Sequence, residues 1–140
     1  MKAGSIILID DDVDDKDVFI DILRDLRVLN PVVWFQNCAD AFSYLKKTDE
    51  KTFIIFCDVN LPGLTGIECK GQIDKDEELR KKSIPFVFCS TSVNAKAVDD
   101  AYTKMTVQGF FKKKNSYNGL KQTIKVIVDY WDECEHPNSK

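Results

Sequence analysis

Histidine is almost missing from this 140-residue sequence, and the only one, His136, stands beside Pro137 close to the C-terminal end. A zinc site, or a Ser-His or Cys-His nucleophile pair, would have to draw on a residue in what reads as a tail, so those chemistries are set aside. The five cysteines, Cys38, Cys57, Cys69, Cys89 and Cys134, include no C-x-x-C pair, and Cys57 and Cys89 end apolar runs. They read as small core fillers before metal or redox groups. Long hydrophobic runs are also lacking. The strongest, FIIFC at 53–57, falls far short of the roughly 20 residues that span a bilayer. The N-terminal MKAGSIILIDDD turns to acid where a signal peptide would offer small residues for cleavage. A cytoplasmic protein without a membrane partner is therefore expected. An excess of positive charge is missing too, since 20 Lys+Arg stand against 23 Asp+Glu and leave a net charge of −3. With the lysines spread out, apart from the run Lys112, Lys113 and Lys114, no direct nucleic-acid partner is expected.

What is present is a rhythm. Apolar runs recur at SIILI (5–9), VVWF (32–35), FIIFC (53–57), PFVFC (85–89) and VQGFF (107–111), and each precedes a longer segment of helical character. Helices are expected over about 13–28, 38–47, within 65–82, 94–104 and 116–134. The first carries Val18, Ile22 and Leu26 at helical spacing, with Phe19 and Leu23 alongside, as one apolar stripe. Strands that are apolar throughout, rather than alternating, are buried on both faces, which implies a parallel sheet between helix layers. The expectation is a doubly wound α/β fold with five strands. Residues 1–134 read as one domain and 135–140 as a C-terminal tail.

In such sheets ligands bind beyond the carboxyl ends of the strands. Strand one delivers Asp10, Asp11 and Asp12 there, strand three Asp58, strand four Ser90 and Thr91, and strand five Lys112, Lys113 and Lys114. Carboxylates from strands one and three, brought to about 4 Å, repel by about 4 kcal/mol per pair at an effective dielectric near 20, which calls for a cation. Oxygen-only ligands suit Mg²⁺, which also takes an oxygen from a phosphate. Asp58 then reads as a nucleophile forming an acyl phosphate, with the Ser90 hydroxyl and the Lys113 ammonium on the phosphoryl oxygens. Plainer readings hold for the neighbours: Asp12, Asp14 and Asp15 start and solubilise the first helix, Lys112 and Lys114 form a solvated edge, and Trp34 and Trp131 are packing residues. Asp10, Asp12, Asp14 and Asp21 mimic calcium-loop spacing, but Asp15 stands where that loop needs glycine.

These residues, and the stretch DVNLPGLTG at 58–66, resemble the receiver domain of two-component response regulators over nearly the whole chain. The resemblance implies a flavodoxin-like (βα)5 fold with strand order 2-1-3-4-5. It implies Asp10 and Asp11 as the paired metal-binding acids, Asp58 as phosphoacceptor, and the backbone carbonyl of Asn60 as a further ligand of Mg²⁺ or Mn²⁺. Ser90 falls on the switch hydroxyl, Phe110 on the aromatic that turns with it, and Lys113 on the site lysine. The implied donor is a sensor histidine kinase or a His phosphotransfer protein. Phosphorylation would switch the face formed by the fourth expected helix, strand five and the fifth helix, for a downstream protein target or a homodimer. Such a chain is not an enzyme beyond its own phosphorylation and dephosphorylation, and a stand-alone regulator is expected.

Three departures stand out. Lys114 occupies the place of a family proline, so a trans bond and a rearranged loop are expected after Lys113, because a cis bond without proline costs about 2.5–4 kcal/mol. Phe110 offers no hydroxyl, and Thr91 is larger than the Ala or Gly common there. Two rival functions remain. A haloacid-dehalogenase-type phosphatase would need D-x-D, and Asp58-Val59-Asn60 supplies an amide in place of the second acid. A receiver-like interaction module that is never phosphorylated would have no need of Asp10, Asp11, Asp58, Ser90 and Lys113 together.

Overall fold

The computed structural model describes residues 3–91 and 94–137. In chain order these form β1 (Ser5–Ile9), α1 (Val13–Asp25), β2 (Val32–Phe35), α2 (Cys38–Lys47) and β3 (Thr52–Cys57). There follow α3 (Gly66–Lys75), α4 (Glu77–Lys82), β4 (Phe86–Ser90), α5 (Ala95–Lys104), β5 (Gly109–Lys112) and α6 (Tyr117–Glu133). The strands form one parallel sheet in the order β2-β1-β3-β4-β5, as the resemblance implied. Every residue of β1, β3 and β4 is buried, whereas β2 and β5 at the edges are only partly covered. That is why the three inner strands read as unbroken apolar runs.

Alternate residues of the inner strands feed two cores. On one face Ile6, Leu8, Ile54 and Phe56 pack under α1 and α6, through Phe19, Ile22, Leu23, Ile124, Ile127 and Val128. On the other, Ile7, Ile9, Ile55, Phe86 and Phe88 meet Ala41 and Leu45 of α2, Cys69 and Ile73 of α3, Leu79 of α4 and Ala101 of α5. The helices start where side chains cap them. The carboxylate of Asp12 accepts the N–H of Asp15, Asn37 accepts that of Asp40, and Ser116 accepts that of Gly119.

The structure corrects the sequence reading in three places. The single helix expected within 65–82 is two, because Asp76 ends α3 and caps α4, its carboxylate accepting the N–H of Leu79 at 3.0 Å. His136, expected in a tail, is buried: its Nε2 lies 2.6 Å from the carbonyl oxygen of Phe53, and its ring packs on Phe53 and Trp131. The expected tail residues 138–140 lie outside the described residues. Cys38 and Cys69, read as separate core fillers, are joined in a disulfide, since the first turn of α2 and the second turn of α3 lie side by side on one face of the sheet. Cys57 and Cys89 are buried thiols, as expected of fillers. Among the described residues no helix is long and apolar enough to cross a membrane.

Candidate functional site

The carboxyl ends of β1 and β3 are held in step by backbone bonds that run past the strands: Asp10 N–H donates to Phe35 O at 3.0 Å, and Asp58 N–H to Ile9 O at 2.9 Å. The ladder between β4 and β5 is extended likewise, with Lys113 N–H donating to Ser90 O at 2.9 Å. Four strand ends thus present Asp10, Asp58, Ser90 and Lys113 on one rim. The loop after Asp58 returns tightly to start α3. Gly66 N–H donates to Val59 O at 2.8 Å, and a Cβ on Gly66 would stand 2.1 Å from the Asp58 carbonyl oxygen, so only glycine fits. Thr65 and Glu68 then cap each other's backbone N–H groups and fix the helix start.

Asp10 is buried, and both of its carboxylate oxygens are engaged. Oδ1 accepts the N–H of Asp12 at 3.0 Å, and Oδ2 accepts from Lys113 Nζ at 2.7 Å. The same ammonium lies 3.3 Å from Asp15 and 3.7 Å from Asp58. Burial raises the pKa of Asp10, against the pull of Lys113 and the Asp12 N–H and with the push of Asp58. Burial works against a charged Lys113, yet its bond to Asp10 and the carboxylates of Asp10, Asp58 and Asp15 carry its pKa above the ordinary lysine value. The lysine is a fixed cation.

Asp10, Asp11 and Asp58 each place one carboxylate oxygen within 4.8 Å of the others. At that separation each like-charged pair repels by about 3 kcal/mol at an effective dielectric near 20. One lysine cannot neutralise three acids together with Asp15. The donor set, all hard oxygens with Asp11 open to solvent, fits a small divalent cation that keeps part of its water. Asn60 is exposed in the loop after Asp58, its N–H 3.4 Å from Asp58 Oδ1.

Ser90 is fully buried at the end of β4, and among the described residues its hydroxyl has no hydrogen-bond partner. A buried hydroxyl left in that state costs about 1–3 kcal/mol. Phe110, half-buried in β5, packs against Phe88 with ring centroids 5.4 Å apart. A cavity of about 70 Å³ opens at the rim between Asp10, Asp15, Asp58, Thr91 and Lys113, with Phe19, Phe56 and Leu120 as apolar wall. Cys57 and Cys89 border it, and burial pushes both thiols up, Cys89 to about 11, so neither is a thiolate nucleophile at neutral pH. Lys112 and Lys114 are exposed. No peptide bond among the described residues is cis, so Lys113–Lys114 is trans.

Two residues beside the site do more than their sequence positions suggest. Asp15, at the helix start, also stands one turn before Phe19 on the stripe that faces the sheet, and this spacing turns its carboxylate to Lys113. Trp34 packs as expected, and its indole Nε1–H also donates to the carbonyl oxygen of Asp10 at 2.7 Å. No local pattern announces that second contact, because it depends on β2 lying beside β1.

Fold and rim together define a doubly wound α/β protein whose chemistry is gathered at the ends of its central strands. The model of the response regulator receiver domain matches residues 6–125, and the chain belongs to that family. The phosphorylated cyanobacterial phytochrome response regulator RcpA superposes with a TM-score of 0.86 at 26% identity, over 96% of this chain and 99% of that one. The Mn²⁺-bound form of response regulator Rcp1 shares the fold, with a TM-score of 0.81 at 22% identity over 94% of this chain and 96% of that one. The probable methanogenesis regulatory protein FilR2 of Methanothrix harundinacea is 29% identical over 104 residues, 71% of this chain. The match covers 65% of FilR2, so this chain spans just under two-thirds of that relative's length. Receiver domains are signalling modules of two-component systems, and acceptance of a phosphoryl group is general in them.

Proposed function

We propose that Asp58 is the phosphoacceptor of this receiver, taking a phosphoryl group from the phosphohistidine of a sensor histidine kinase or a His phosphotransfer protein. The observation that carries the reading is the meeting of three carboxylates within 4.8 Å with a lysine 3.7 Å from Asp58. In the transfer a carboxylate oxygen of Asp58 bonds to phosphorus, the phosphorus–nitrogen bond to the donor imidazole breaks, and the ring nitrogen keeps the electron pair. Asp10, Asp11, Asp58 and the carbonyl of Asn60 would hold Mg²⁺ or Mn²⁺, which supplies charge neutralisation for the phosphoryl oxygens. Lys113, anchored by Asp10 and Asp15, presents its ammonium to the same oxygens. The buried Ser90 hydroxyl, without a partner among the described residues, gains an acceptor in the phosphoryl group, and Phe110, packed on Phe88, moves with it as the switch.

The face of α5, β5 and α6 carries Tyr102, Val126 and Tyr130 exposed. It would receive a downstream protein target or a second copy of the chain, in the cytoplasm and without turnover of any external substrate. Incubation with acetyl phosphate and Mg²⁺ should add one phosphoryl group by intact mass, and Asp58→Asn should abolish it. Beryllofluoride should bind the wild type in place of the phosphoryl group. No mass gain and no beryllofluoride binding would leave an interaction module. Sustained hydrolysis of phosphomonoesters would instead support the phosphatase reading, which the amide of Asn60 disfavours.

A further inference from the structure

We propose that Trp34 is a positioning residue for the acidic cluster: its indole N–H fixes the peptide joining Asp10 to Asp11, and through it the separation of the carboxylates that meet Asp58. The inference rests on the reading that these acids hold a divalent cation. The ladder between β1 and β2 ends at the pair Ile9 and Phe35. One residue further on, the carbonyl of Asp10 takes its hydrogen bond from a side chain, the Trp34 indole at 2.7 Å. Asp10 is thereby tied at each of its polar groups: its N–H to Phe35, its carbonyl to Trp34, Oδ1 to Asp12 and Oδ2 to Lys113.

Asp11 is held differently. Among the described residues its exposed carboxylate has no hydrogen-bond or ion-pair partner of its own, so the backbone on either side sets its place. On one side the Asp12 N–H is bound to Asp10 Oδ1; on the other the Asp10 carbonyl is bound only by the indole. The ring is itself clamped. It packs against the core under α1, and Lys16 Nζ of α1 lies 4.7 Å from its centroid. Phenylalanine would keep an aromatic ring and part of the packing but not the donor, leaving the peptide before Asp11 free to tilt. Outer-shell hydrogen bonds to metal ligands are worth about 10–100-fold in affinity, and the indole acts one peptide away from the Asp11 carboxylate, so the low end of that range applies.

The test compares wild type, Trp34→Phe and Trp131→Phe. Mn²⁺ affinity is read by electron paramagnetic resonance, and unfolding midpoints are measured without metal. We expect Trp34→Phe to bind Mn²⁺ about tenfold more weakly while staying folded, and Trp131→Phe to bind as wild type does. In Trp131→Phe the remaining indole ¹⁵N–¹H resonance belongs to Trp34, and it should shift on Mg²⁺ titration; this readout involves no change at Trp34. Unchanged affinity in Trp34→Phe together with an indole resonance that ignores Mg²⁺ would overturn the positioning role while leaving the metal site intact. Absence of Mn²⁺ binding by the wild type would overturn the metal reading and this inference with it.

Discussion

At the scale of single residues the site sets groups with several partners beside one that has none among the described residues. Lys113 reaches three carboxylates and Asp10 uses both of its oxygens, whereas the buried Ser90 hydroxyl has no partner among the described residues. Among the described residues, then, nothing compensates the desolvation of the Ser90 hydroxyl. Ser90→Ala should therefore leave the stability of the unmodified protein unchanged or raise it by up to about 1 kcal/mol, read from denaturant unfolding. The same variant should bind beryllofluoride more weakly and show a smaller response of Phe110, read by ring resonances. A loss of stability above 1 kcal/mol would mean that the hydroxyl already has an acceptor in the unmodified state. Sequence placed Ser90 at the rim, since it follows an apolar strand directly. Its isolation was not legible, because it depends on what β3 and β5 bring to either side.

At the scale of elements, boundaries were legible wherever one residue type decides them. The first strand and the second helix begin and end where expected: SIILI meets acid at Asp10, and in the structure Asn37 caps α2. The break between α3 and α4 was missed. No glycine or proline marks it; the signal is a charge pattern, with Glu77 and Glu78 in the first turn of α4 and Arg80, Lys81 and Lys82 in its last. That order matches the dipole of a short separate helix, and Asp76 is its cap. The Leu79 N–H and then Lys46 of α2, whose ammonium lies 3.0 Å away, hold the Asp76 carboxyl below the usual carboxylate range. Its stabilisation is present at neutral pH, above the unfolded pKa, and is lost as pH falls through the lowered folded value. Asp76→Ala should lower the thermal midpoint by about 3 °C, and Asp76→Asn should recover most of it because Asn caps as well as Asp. Equal midpoints for all three proteins would show that the cap adds no stability and that the Leu79 packing alone holds α4 in place.

At the scale of the whole molecule, the features that escaped sequence are those that need two distant segments to meet. His136 finds the Phe53 carbonyl across 83 positions, and Cys38 finds Cys69 across 31. Neither pairing is written in local spacing; each follows from which strands are neighbours. The disulfide joins the start of α2 to the second turn of α3, and those helices leave the sheet at the rim where Asp10 and Asp58 stand. A crosslink closing a loop of 31 residues removes unfolded-chain entropy equivalent to about 3–4 kcal/mol. Disulfides are rare in a reducing cytoplasm, where the two cysteines would stand as thiols and the core alone would carry the fold. The expected difference is measurable on one preparation. Oxidised protein should unfold about 10 °C above the same protein reduced and refolded in thiol, with the Cys38→Ala, Cys69→Ala double variant at or somewhat below the reduced form, because it also deletes two buried sulfurs. Calorimetry with free-thiol titration checks it. Coincident midpoints for oxidised and reduced protein would show that the two buried cores, without the crosslink, already hold α2 and α3 in place.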